Sequence, residues 1–534
     1  MSTVQRASTT GPAGTTGTTG QSASRRWRVT EHLSVVALGL LVLAVHDVGY
    51  VLRQPFWTDE AWVAVTSRFP LAQLPATTSS TPIGWSALAW VFSLAGDQAG
   101  RLLTLAFAGA AVMIAYWFAR RLGWQRRDAS VTAGLLAGMA VLLSPAMLIR
   151  DDLKQYTADA CAALLTLAVV SRLERDWSRR WLAGLSVTIW GGMLVSHTTA
   201  FVGVAAFGAL CSVQVARRAW RRLAEASAAG AITAAAMLGV YEGFDARSVV
   251  PGLTAYWSAY YPPVSKGLRA STTFVIRHVD AVHGFLGLGP LWLAVPLVIA
   301  GLITLARLGR PATAITAAVL WPELLVLAAL QKYPFLDLRT STFLLAVTTV
   351  VGAIGLVGLG TLVRPWLKGP ITAALIAVAV LAFTAGARPY LRSHLIPAED
   401  VRDQARYVAA HARPADMIVV NLSSNWGFAY YWPIGHPSRR PDGLVLQGYE
   451  ADFPDQPRII VARGRNPADV SAALSQALAR ESGHPCGRIW LIRTHVSAAE
   501  QGAWAAALHR SALLNTPIGT DGLSFVAEGG QACR

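Results

Sequence analysis

VTEHLSVVALGLLVLAVHDVGYVLRQPFWTDEAW, residues 29–62, is the stretch on which the reading of the whole chain turns. From Val29 to Leu52 it is apolar and long enough to cross a bilayer, which takes about 20 residues as a helix. It breaks at Arg53, Gln54 and Pro55 and runs into Phe56, Trp57, Thr58, Asp59, Glu60, Ala61 and Trp62. Two adjacent carboxylates therefore stand where the chain leaves the membrane. Ionisable groups at such a place point to function; the plainer alternative is that they cap or solubilise a loop.

The surrounding chain repeats the apolar theme. Of 534 residues, 53% are hydrophobic and 14% charged, with a mean hydropathy of +0.41. Soluble globular domains carry about 25% charged residues, so this composition belongs to a polytopic membrane protein. Its apolar blocks approach or exceed helical span length, and the short alternating strands of a membrane barrel are missing. The net charge of +16 does not signal nucleic acid, because Arg and Lys concentrate in short turns between apolar blocks, as the cytoplasmic turns of helical membrane proteins do.

Eleven spans are expected, near 29–52, 99–119 and 130–149, a fourth ending about 173, then 181–196 and 198–216, a seventh ending about 240, and 285–305, 312–330, 341–363 and 370–386. Residues 1–25 are rich in Ser, Thr and Gly and read as a disordered cytoplasmic tail, held inside by Arg25, Arg26 and Arg28. The membrane domain is expected over 26–387, with outer loops at 53–98 and 241–284. Within the first loop, 83–94 is apolar but short and reads as an amphipathic helix at the outer interface. The turns with Arg120 and Arg121, Arg179 and Arg180, Arg217 and Arg218, Arg307 and Arg310, and Arg364 and Lys368 all fall on the inner side. An odd number of spans then places residues 388–534 outside, in a plasma or inner membrane protein with a cytoplasmic amino terminus.

That last segment reads as an extracytoplasmic α/β domain, with helices at 399–411, 470–481 and 498–511 and strands at 417–420, 459–462 and 489–492. Cys486 and Cys533 share it, as a disulfide or as two reduced thiols. Cys161 and Cys211 read as small packing residues.

The polar groups expected on the outer side are Asp59 and Glu60, the 150–156 turn with Asp151, Asp152, Lys154 and Tyr156, then His197, the 241–284 loop, and Lys332 with Arg339. A carboxylate can take the proton of an acceptor hydroxyl as its oxygen attacks a sugar carbon, while cations stabilise a departing phosphate. Snorkelling is the plain alternative for each cation.

In order and spacing these features resemble the GT-C membrane glycosyltransferases, in particular the bacterial polyprenyl-phosphate-sugar-dependent branch with protein mannosyltransferases, aminoarabinose transferases and actinobacterial cell-envelope arabinosyl- and mannosyltransferases. TDEAW at 58–62, TPIGWSALAWVFSLAGDQAGRLLTLAFAGAAVMIAYWFARRLG at 81–123, LLSPAMLIRDDLKQYTADACAALLTLAVV at 142–170, Ser196 with His197, and the 332–339 loop carry the resemblance. It implies transfer of a sugar from a polyprenyl phosphate to a cell-wall glycan, glycolipid or protein acceptor, by inversion. Asp59 would be the base and Glu60 would orient the acceptor or support the loop. Lys154, Tyr156, Arg339 and less securely Lys332 would hold the donor phosphate and lipid, although Gln155 stands where the family often has Pro. His197, Tyr256, Trp257, Lys266, Arg269 and His278 are candidate acceptor or sugar contacts. The family is divided on metal use, so no cofactor is required; a divalent cation (Mg, Mn or Ca) at Asp151 and Asp152 competes with structural capping there. A lipid-linked-sugar transporter or flippase and a non-catalytic envelope-assembly protein are the competing readings.

Overall fold

Arginine turns and proline breaks divide the apolar sequence, and helices form between them. The computed structural model describes residues 18–78, 81–150, 152–244, 246, 253–363, 369–391, 400–432, 445–447, 450–453, 456–481, 488–511, 513–518 and 523–528. The expectations for Asp151 and for Cys486 and Cys533 lie outside these residues. Each of the eleven expected spans is helical: Thr18–Val45 with Val48–Val51, Arg101–Arg120, Arg127–Leu142, Tyr156–Arg175, Arg179–Met193, Thr199–Ala216, Trp220–Gly243, Leu291–Arg307, Pro311–Ala329, Thr342–Val363 and Gly369–Ala387. The first helix begins at Thr18, inside the stretch expected as a tail. Among the described residues six helices are by themselves long and apolar enough to cross a membrane. A seventh span results if Leu268–Leu286 and Leu291–Arg307, bent by 78°, are one broken span. The chain is a polytopic α-helical membrane protein with a C-terminal α/β domain.

The bundle core joins the Arg101–Arg120, Arg127–Leu142, Tyr156–Arg175 and Thr342–Val363 helices through small buried residues such as Ala111, Ala115, Ala137 and Ala163 alongside Leu164, Leu344 and Ile354. Small side chains let helix backbones approach closely where lipid supplies no hydrophobic drive. The limit is reached at Gly301 and Gly355, where an added Cβ would collide with Val351 O and Leu297 O respectively.

At one end of the bundle the basic turns are tied together. Arg120 grips both oxygens of Glu31 at 3.0 Å and donates to Ser130 Oγ at 2.6 Å. Glu174 accepts the N–H groups of Ala312 (2.7 Å) and Thr313 (2.9 Å), capping the Pro311–Ala329 helix with a negative charge. Residues 53–78, 81–98, 150, 152–156 and 331–341 gather at the other end.

The 83–94 stretch is the helix Ile83–Ser93. Trp85 is fully buried against Phe107, and its backbone N–H donates to Leu194 O at 3.1 Å, a contact close enough that only glycine fits at position 84. Much of the long 241–284 loop is the amphipathic helix Leu268–His283.

The C-terminal domain is built on β1 (Met417–Val420), β4 (Ile459–Val461), β5 (Ile489–Ile492), β6 (Leu513–Pro517) and β7 (Leu523–Glu528) in the order β4-β1-β5-β7-β6, with the hairpin β2 (Val445–Gln447) and β3 (Glu450–Asp452) apart. β1 runs parallel to both β4 and β5, pairing Ile418 with Ile459 and Trp490, while β7 is antiparallel to β5 and β6. Side chains alternate across the sheet. Met417, Val419 and Ile460 pack on the Pro467–Glu481 and Ala498–Arg510 helices, and Ile418, Val420 and Trp490 face the side that carries Val401–His411 and Asn425–Tyr431. Asp416, just before β1, accepts from Arg413 N, Arg488 N, the Arg488 guanidinium and Trp490 Nε1 at 2.9–3.2 Å.

Candidate active site

The 56–62 stretch becomes the helix Thr58–Thr66, entered through Trp57. Asp59 and Glu60 both lie in its first turn, where negative charge suits the exposed N–H groups, yet successive residues on a helix point about 100° apart. The two carboxylates therefore part.

Glu60 turns inward and is fully buried. Its oxygens take Arg101 Nε at 2.7 Å and Nη2 at 2.5 Å, Leu153 N at 2.8 Å and Trp57 N at 3.3 Å. The rest of the Arg101 guanidinium donates to Val51 O and Gln54 O at 2.7 Å and to Pro55 O at 2.9 Å. Burial pushes the Glu60 carboxyl above the usual carboxylate range, with Arg101 opposing it. Of the two roles open to Glu60, this geometry is that of loop support: it fastens the first helix, the Arg101–Arg120 helix and the 150s turn into one unit.

Asp59 turns outward and meets Arg339, whose Nη1 donates to Asp59 Oδ2 at 2.7 Å, with the two side chains 29% and 21% exposed. Arg339 is aimed by Asp337, whose Oδ2 accepts the N–H groups of Arg339 (3.2 Å) and Thr340 (3.0 Å). Its Nη2 donates to the Tyr256 hydroxyl at 3.0 Å, and its guanidinium lies 5.7 Å from the Trp257 ring centroid. Burial works against the charge of Arg339, but Tyr156, Asp59 and Asp337 around it raise its pKa above the ordinary arginine value. It is a permanent cation.

Lys154 and Tyr156 complete the group. The Lys154 amine lies 5.2 Å from the Trp62 ring centroid, and the side chain is buried within electrostatic reach of Asp59, Arg339 and Asp152. Burial holds its pKa below the usual lysine value, with Asp59 opposing. Tyr156 is buried under Arg150, 5.6 Å from its ring. Asp152 is buried too, 3.9 Å from Arg150, and burial raises its carboxyl. Among the described residues no group of three or more His, Cys, Asp or Glu side chains stands ready to hold a metal ion.

The structure thus brings Asp59, Lys154, Tyr156, Tyr256, Trp257 and Arg339 to one place and leaves other candidates apart. His197 sits with Asp159, Ser196 and Thr198, a polar group linked to the first through Tyr333 and Tyr156. His278 bonds Phe274 O at 2.9 Å and packs against the Phe274 ring, tilted by 36° with 3.9 Å between centroids. Lys266, Arg269 and Lys332 are exposed, and no ion pair joins them to the site among the described residues. Arg101, Asp337 and Asp159 were not singled out by the sequence. Arg101 had a signal: an arginine opening an apolar helix at the end away from the basic turns needs a buried partner.

The C-terminal domain closes over the same helix. Trp426 stacks on Trp62 at 5.4 Å and 16°. The Tyr431 hydroxyl accepts Phe56 N (2.8 Å) and Gln98 Nε2 (2.9 Å), the Tyr430 hydroxyl donates to Asp97 O (2.7 Å), and Thr58 Oγ1 donates to Ser423 O (2.7 Å).

Solved structures with the same fold superpose on nearly the whole chain. ArnT from Cupriavidus metallidurans bound to undecaprenyl phosphate matches with a TM-score of 0.54 at 14% identity, over 94% of this chain and 99% of that one. The archaeal oligosaccharyltransferase AglB from Archaeoglobus fulgidus, in complex with an inhibitory peptide and a dolichol-phosphate, matches with a TM-score of 0.51 at 11% identity, over 96% of this chain and 75% of that one. No family model and no curated protein matches the sequence, so the likeness is one of fold.

Proposed function

We propose that the chain is a glycosyltransferase that moves a sugar from a polyprenyl phosphate to an envelope acceptor, with its C-terminal domain and site on the extracytoplasmic side and its amino terminus in the cytoplasm. The observation that carries this reading is the Asp59–Arg339 contact beside Lys154: a partly open carboxylate flanked by two cations at the end of a bundle. Its fold is shared with proteins whose structures hold undecaprenyl phosphate or a dolichol-phosphate.

In this reading Arg339 and Lys154 bind the donor phosphate, and Tyr256 and Trp257 cover it. The acceptor oxygen attacks the anomeric carbon from the Asp59 side, its proton passes to Asp59, and the carbon–oxygen bond to phosphate breaks with its electron pair leaving on the phosphate oxygen. The anomeric centre is inverted, and the cations stabilise the growing negative charge. Glu60 and Arg101 act by holding the helix. Arabinose and mannose are the first donor sugars to try.

The test is transfer of labelled sugar from purified polyprenyl-phosphate donors to cell-wall glycan, glycolipid and protein acceptors by the reconstituted protein. Glycoside formation that is lost in Asp59→Asn is expected. Full turnover by that variant would remove Asp59 as base, and lipid translocation without glycoside would replace the transferase by a transporter.

A further inference from the structure

The helix Leu268–His283 carries charge on an open face beside the site. The segment Leu268–Leu286 meets the span Leu291–Arg307 at 78°, so with that span along the bilayer normal the helix lies nearly in the membrane plane. Trp292, in the first turn of the span, is 76% exposed, and tryptophan gathers where headgroups meet hydrocarbon. The helix therefore lies at headgroup height, at the end of the bundle opposite the arginine turns. One of its faces is occupied: Phe274 and His278 lie against Phe335, and Val282 is buried. The other face is open and presents Arg269, Thr273, Ile276 and Arg277, with Lys266 and Leu268 at its head. Arg269 and Arg277 are about 12 Å apart along the axis.

Among the described residues no carboxylate pairs with Lys266, Arg269 or Arg277, and the nearby Asp280 stands 3.6 Å from His283. Cations here run against the bias that concentrates arginine in the opposite turns. Leu268 is 84% exposed and Ile276 63%, so a soluble anion would meet the cations and leave both apolar side chains in water. Cations interleaved with exposed aliphatic groups at headgroup depth match a helix lying in an interface. We propose that the helix Leu268–His283 is a dock for the headgroups of anionic phospholipids. Lys266, Arg269 and Arg277 meet the phosphates, and Leu268 and Ile276 enter the acyl boundary. Through Phe335, whose N–H donates to Tyr260 O at 3.0 Å, the docked helix steadies the loop that carries Arg339. The lipid contact does not rest on the transferase reading.

The experiment places the full chain in nanodiscs of phosphatidylcholine, alone or mixed equally with phosphatidylglycerol, and follows hydrogen–deuterium exchange of residues 264–283. Three cations near an anionic surface support at least tenfold slower exchange in the mixed discs, and high salt is expected to shrink the difference. The combined variant Lys266→Gln, Arg269→Gln and Arg277→Gln is expected to exchange alike in both discs. Arg269→Lys with Arg277→Lys is expected to keep the protection, which separates charge from fold. Equal exchange of wild type in the two discs, or protection that persists in the combined Gln variant, overturns the dock. Protection by inorganic phosphate in phosphatidylcholine discs would replace the lipid by a free anion. None of these readings needs turnover, so the dock and the transferase fail separately.

Discussion

Asp59 and Arg339, 280 positions apart in sequence, meet at 2.7 Å. In the proposed reaction a donor phosphate entering the site competes with Asp59 for the same guanidinium, which makes phosphate binding and release of the carboxylate toward an acceptor one exchange. Arg339→Lys keeps the charge but loses the planar fork that spans Asp59 and Tyr256. It is expected to raise the donor KM at least tenfold, while Asp59→Asn lowers kcat by about 10²–10⁴ with little change in donor KM. Steady-state kinetics on both variants checks the division of labour.

Glu60→Ala is expected to lower stability by about 3–5 kcal/mol, the cost of leaving a buried guanidinium without its carboxylate. Arg101→Ala costs a similar amount, and the double variant costs much less than the sum because the two residues form one unit. Thermal unfolding in detergent reads this, and additive losses would contradict the coupling.

In the proposed reaction Lys154 is expected to set an alkaline limit on activity. Burial holds its pKa below the ordinary lysine value, so as pH rises its ammonium is lost earlier than that of an exposed lysine. Donor KM is then expected to climb at a lower pH than an exposed lysine would set, and Lys154→Arg, which stays charged, to flatten that limb. A donor KM independent of pH would remove Lys154 from the phosphate site.

In the C-terminal domain, burial alone would raise the Asp416 carboxyl, but the N–H groups of Arg413, Trp490 and Arg488 hold it below the usual carboxylate range. A depressed folded pKa contributes stability that is fully present above the unfolded value of about 3.9 and is lost as pH falls through the folded one. Asp416→Asn is therefore expected to cost about 1–3 kcal/mol at neutral pH and progressively less below pH 4. Hydrogen exchange of β1 and β5 across that range checks it.

The helices were legible because most apolar blocks end at arginines or a proline, as at Arg120 and Pro311, and the strands 417–420 and 489–492 because they are short apolar runs. The hairpin β2–β3 was not, since VLQ and EAD carry no alternation. Nor was Asn425–Tyr431, whose aromatic residues gain their meaning only from Phe56, Trp62 and Arg68 across the interface. Asp59 was legible as one of two carboxylates at the end of a span. That it faces Arg339 while Glu60 faces Arg101 depends on helix phase and on contacts distant in sequence, which a single sequence does not encode locally.

The bond from Thr58 to Ser423 spans 365 positions, and it has a consequence for biosynthesis. The helix that bears Asp59 leaves the ribosome well before the segment that closes over it. A nascent or truncated chain ending before Ser423 holds both carboxylates yet lacks the Trp426, Tyr430 and Tyr431 contacts that seat their helix. The seat of the Asp59 helix is therefore complete only once residues 423–431 have been made and folded.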